Sequence, residues 1–116
     1  MSPLLSQALD EARPLAAARG WRLPDDATLA EAERVLALAR RDWRAPTAVQ
    51  VEPDGAVTLE WDAGARGWVQ LAVRGSGQLA HSAVIEGDEY EKTEPFDERL
   101  PDWAEEVLRR LLLAGH

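Results

Sequence analysis

Between Thr47 and Trp61 apolar and polar residues alternate with a period of two, break at Pro53-Asp54-Gly55 and then resume. Val49 and Val51 alternate with Ala48, Gln50 and Glu52 before the break, and Val57, Leu59 and Trp61 alternate with Thr58 and Glu60 after it. A period of two places each set on one face of a strand. Pro53 presets φ for the first turn position, Asp54 tolerates the second, and Gly55 can take the positive φ of the bulge that rejoins the strands. The segment therefore predicts a β-hairpin with Val49, Val51, Val57, Leu59 and Trp61 turned inward.

Before the hairpin the period changes to that of a helix. Ser2 and Pro3 form a cap and first-turn pair, and Leu5, Ala8, Leu9, Ala12, Leu15 and Ala16 recur at helical spacing as far as Arg19. Pro14 removes a backbone donor inside this run, which predicts a kink or two short helices before Gly20. Thr28 and Glu31 are spaced as a capping box, and Leu29, Ala32, Leu36, Ala39 and Trp43 trace one face of a second helix ending at Pro46.

After the hairpin, Asp62 to Gly67 reads as a loop, and Val69, Leu71 and Val73 alternate with Gln70, Ala72 and Arg74 in a third strand. Gly75-Ser76-Gly77 supplies a turn into a fourth strand, Gln78 to Ile85, whose apolar residues select no single face; a short fifth strand is centred on Tyr90. Asp102 and Glu105 are spaced as a cap pair for a last helix, with Trp103, Val107, Leu108, Leu111 and Leu112 as its apolar stripe. The pieces give a single α+β domain over 1–116: two N-terminal helices, an antiparallel meander of four to five strands and a C-terminal helix. The helices share one face of the sheet.

On the opposite face Thr58, Glu60, Gln70 and Arg74 suit water, whereas Trp68 falls on the same parity. Trp68 is then either a contact with a second copy, giving a homodimer, or a strand-end residue covered by a loop.

Composition changes this picture in one place. The net charge is −8, and from Glu86 to Glu106 ten acidic residues face only Lys92 and Arg99, an excess of eight. The rest of the chain is balanced. An anionic band repels phosphate backbones, so nucleic acid is not an expected partner; a basic protein is. The residues assigned to such a contact are Glu86, Asp88, Glu89, Glu91, Glu94, Asp97 and Glu98. The N-terminus lacks the positive flank of a signal peptide and no apolar run is long enough to cross a bilayer, so the expected location is the cytoplasm, with no membrane partner. The chain has no cysteine, which removes disulfides and thiolate chemistry.

The combination of Gly20-Trp21, a proline-bearing loop, an alanine-rich helix, Pro46 and then PDGAVTLEW at 53–61 resembles a group of small uncharacterised bacterial proteins. Those carry a Gly-Trp-Asp-Gly segment before the helix and a Pro-Asp-Gly-Gly-Ile-x-Leu-Glu-Trp hairpin after it. Here Arg22 and Leu23 stand in place of the Asp-Gly, while the hairpin matches well. The resemblance spans roughly Gly20 to Val73 and implies a shared fold; it transfers no activity and no catalytic residue.

The remaining chemistry is sparse. Glu60 beside Trp61 has the residue types of a general acid but the parity of a solvated strand position. His81 and His116 are isolated in sequence, and a zinc site needs three or four closely placed ligands. Ser82 next to His81 faces the other side of its strand, so the two do not form a nucleophile and base. Gly75-Ser76-Gly77 lacks the Lys-Ser/Thr ending and following helix of a phosphate loop. Asp88, Glu89, Glu91 and Glu94 have oxygen ligands for calcium without the alternation and central glycine of an EF-hand loop. The expectation is a non-enzymatic protein-interaction module without cofactor or metal. The alternative is a small-molecule binder with a pocket between helices and sheet lined by Trp21, Trp61 and Trp103.

Overall fold

A computed structural model describes residues 1–113; His116 lies outside the described residues. Two helices, α1 (Pro3–Arg19) and α2 (Asp26–Asp42), precede five strands, β1 (Ala48–Val51), β2 (Val57–Asp62), β3 (Gly67–Val73), β4 (Gln78–Ile85) and β5 (Asp88–Pro95), and helix α3 (Asp102–Leu113) follows. The strands form one antiparallel sheet whose spatial order is the sequence order. The α+β meander expected from the periodicities is the observed fold.

The first hairpin is built as its turn residues require. Gly55 N–H donates to the Glu52 carbonyl at 2.9 Å and Gly55 sits at φ 89°, while the Asp54 carboxylate accepts from the Ala56 N–H at 3.0 Å. That bond, followed by the Arg74 guanidinium, holds the Asp54 carboxyl below the usual carboxylate range. Register pairs Val51 with Val57 and Val49 with Leu59, so the alternating apolar residues share the helix-covered face. Val57, Leu59 and Trp61 are fully buried, and Trp61 Nε1 donates to the Arg44 carbonyl at 2.9 Å. The indole thus enters the core with its polar atom satisfied.

Opposite them on the same face lie Val69, Leu71 and Val73 of β3 and Leu79, Ala83 and Ile85 of β4. Helix α3 closes this core with Ala104, Val107, Leu108 and Leu111, and α2 with Ala32, Val35, Leu36 and Ala39. Helix α1 covers the β1 end, where Ala8, Leu9 and Ala12 pack with Val51.

Several local expectations are corrected. Of the two arrangements expected at Pro14, two short helices do not form: α1 is one helix through it; Pro14 and Asp10, whose carbonyl loses the donor, are both exposed. Asp25, not Thr28, caps α2: its carboxylate accepts from the Thr28 N–H at 2.8 Å and the Thr28 hydroxyl at 2.7 Å. Glu31 is thereby free to reach the β3–β4 turn, accepting from the N–H groups of Gly75 and Gly77, both at 2.8 Å. Trp43 lies beyond the last turn of α2 as its C-cap, its N–H donating to the Ala39 carbonyl at 2.7 Å. Asp102 is the first residue of α3 rather than its cap.

The loop between β2 and β3 is shorter than Asp62 to Gly67, because Asp62 and Gly67 end the strands around a 3-10 turn at Gly64–Arg66. Strand β4 does select a face: Leu79, His81, Ala83 and Ile85 are buried. Its sequence hides this by placing a polar imidazole inward and Val84 outward. Thr58, on the outer parity, is nevertheless buried between its cross-strand neighbours Gln50 and Ala72. Trp103 is not core; it is 43% exposed. At about 100° per residue it falls on the margin of the stripe made by Ala104, Val107, Leu108 and Leu111.

Candidate functional site

Strand β5 is a full edge strand of eight residues and carries the middle of the acidic band. Its register against β4 puts Asp88, Tyr90, Lys92 and Glu94 opposite Ile85, Ala83, His81 and Leu79, on the helix-covered side. Glu89, Glu91 and Thr93 stand opposite Val84, Ser82 and Ala80, on the side that no helix covers among the described residues. The band is therefore divided. Glu86 lies in the turn before β5, Asp97 and Glu98 in the exposed connection after it, and Asp102, Glu105 and Glu106 on α3. Glu106 is engaged by Arg109 and Arg110.

On the open side, one row across the sheet reads Asp62, Trp68, Val84, Glu89, and the next reads Glu60, Gln70, Ser82, Glu91. Trp68, half-buried, shares a groove of about 300 Å³ with Ser82, Val84, Glu89 and Glu91. Trp68 and part of the acidic band, which are separate features in the sequence, are thus neighbours. Glu60 accepts from the Gln70 amide at 3.2 Å, the position of a half-buried strand residue.

On the helix side, His81 is 2% exposed and both its ring nitrogens lack hydrogen-bond partners. Its Nε2 lies 3.5 Å from Glu94 Oε2, and the Glu94 side chain is only 12% exposed. Burial is the largest influence on the imidazole and pushes its pKa below the ordinary value, partly opposed by the Glu94 charge. Above the pair, Lys92 Nζ lies 5.4 Å from the Trp103 ring centre, and Arg110 both stacks on Tyr90 and donates to its hydroxyl at 3.0 Å. His81, Tyr90, Lys92 and Trp103 line a second groove, of about 310 Å³. Two grooves therefore flank one edge strand.

The three tryptophans expected to share a pocket are distributed. Trp61 is in the core, Trp103 lines the groove over His81, and Trp21 lines a shallow groove with Ala8, Ala12, Leu15 and Val51 between α1 and β1. A larger concavity, about 690 Å³, lies elsewhere, between the end of α2 and α3, lined by Arg41, Asp42, Trp43, Arg44, Glu105 and Arg109 among others. Sequence reading missed the pairing of His81 with Glu94. The available signal was the parity of Glu94 with Tyr90 and Lys92, but without the β4–β5 register it points to no partner. Comparison of the chain with known family models, curated proteins and solved structures returns no match.

Proposed function

We propose that this chain is a non-enzymatic protein-binding module that receives a basic partner on the uncovered side of its sheet, around Trp68, Glu89 and Glu91. The observation that supports this reading is the groove in which the indole meets two carboxylates of the acidic band. A lysine or arginine side chain fits such a setting: its aliphatic stem lies on Trp68 and Val84 while its cation is held by Glu89 and Glu91. Long-range attraction to the acidic side steers the partner in, and the tryptophan supplies desolvated contact area.

A homodimer through Trp68 is the second reading. A second copy applied face to face brings Glu60, Asp62, Glu89 and Glu91 against like charges, which favours a different, basic chain over a second copy.

The test is affinity capture with the parent chain, followed by titration of the captured protein against the parent, E89Q/E91Q and W68A. Both variants should weaken binding by about tenfold or more. Unchanged affinity in both refutes the reading, and a parent chain that sediments as a dimer lost in W68A replaces it with self-association.

A further inference from the structure

The backbone of β5 has one side paired with β4 and the other without a strand partner among the described residues. Which groups face outward follows from one bond. Phe96 N–H donates to the Gly77 carbonyl at 2.8 Å, one step beyond the Gln78–Pro95 pair. In an antiparallel ladder, bonded and non-bonded pairs alternate. Glu94, Lys92, Tyr90 and Asp88 therefore share the bonding parity of Phe96, and the N–H and C=O groups of Glu89, Glu91 and Thr93 point away from β4. Pro95 falls on the outward parity, where a missing N–H breaks no ladder bond.

The same three residues turn their side chains to the uncovered side. The free edge thus offers backbone donors and acceptors in register with two carboxylates. On its other side lies the groove of Tyr90, Lys92 and the exposed Trp103.

Charged residues on an edge strand normally prevent a sheet from pairing with its own copies. Glu89 and Glu91 do so here, since an identical strand brings carboxylate against carboxylate. The same charges leave the edge open to a strand of opposite sign. We infer that β5 docks an extended segment of a basic protein by strand addition, with Lys or Arg at every second residue facing Glu89 and Glu91 and apolar residues between them resting on Trp103. Main-chain bonds would supply affinity and the alternating side chains selectivity. This rests on the reading of a basic partner and adds the mode of capture.

The probe is a blocked peptide, Lys-Val-Lys-Val-Lys-Val, compared by calorimetry with its isomer Lys-Lys-Lys-Val-Val-Val. The chains are the parent, T93P, T93A and E89Q/E91Q. T93P removes an outward donor and leaves every charge and every bond to β4 in place; T93A keeps the donor.

Saturable binding of the alternating peptide is expected, at least tenfold tighter than its isomer, weakened at least tenfold by T93P and unaltered by T93A. In the parent complex, the amides of Glu89, Glu91 and Thr93 should gain protection from hydrogen exchange, a measurement independent of how T93P folds. Absence of binding, equal binding of the isomer, or unprotected amides overturns the inference. If T93P binds like the parent while E89Q/E91Q does not, strand addition falls and the charge-guided reading stands; if neither variant matters, both fall.

Discussion

His81 brings a titratable ring to a position that its strand parity assigns to the core, between Leu79 and Ala83 and beside Glu94. Its pKa lies below the ordinary value, chiefly because burial disfavours the cation. Between the lowered folded-state pKa and the unfolded value of about 6.5, the unfolded chain binds the extra proton. The neutral ring's contribution to stability is then complete above about pH 6.5 and is lost as the pH falls through the folded-state pKa. Thermal unfolding of the parent should drop more steeply between about pH 7 and 5 than that of H81L. Parallel pH profiles for the two chains would remove His81 from the acid response. Glu86 is the other residue at odds with its setting. It holds φ 52° in the two-residue turn joining β4 to β5, a conformation that suits Gly or Asn and that costs other residues roughly 1–2 kcal/mol.

Among the elements, α2 does more than cover the sheet. Its Glu31 carboxylate holds the Gly75 and Gly77 N–H groups, so the helix fixes the β3–β4 turn from outside the sheet. E31A should cost about 1–3 kcal/mol, because two donors lose a charged acceptor, and E31Q should recover part of it. Urea unfolding measures both, and an E31A chain as stable as the parent would show that water replaces the carboxylate without loss. The first hairpin was legible because pattern and turn agree: Val57, Leu59 and Trp61 alternate cleanly and Pro53-Asp54-Gly55 admits few geometries. Strand β4 was not, because His81 inside and Val84 outside invert the polarity that parity relies on. Thr28 and Glu31 match a capping box in spacing, yet Asp25 three residues before Thr28 is an equally good cap, and only tertiary placement of the Gly-Ser-Gly turn decides where Glu31 goes. The adjacency of Trp68 and Glu89 depends on the joint registers of three strands, and no local sequence signal contains that.

Over the whole molecule, charge is unevenly distributed. Carboxylates of β5 and β2 mark the uncovered side of the sheet, whereas the cleft between α2 and α3 mixes Arg41, Arg44 and Arg109 with Asp42 and Glu105. On the proposed reading, a basic partner is steered toward the carboxylate-bearing side of the sheet. Raising salt from about 50 to 500 mM should weaken its complex by about tenfold or more, mainly through a slower association rate. A salt-independent association rate would mean that contact area alone brings the partner in.

The strand order also bears on how the chain reaches this shape. Each strand after β1 bonds to the one synthesised immediately before it, across connections of only a few residues. Little loop entropy is spent in closing each pair, so the sheet can zip from hairpin to hairpin. Contacts made by the helices reach further along the chain, as from Arg34 of α2 to the Asp97 carbonyl at 3.3 Å, and docking of the helices is the step with the longest chain segments to close.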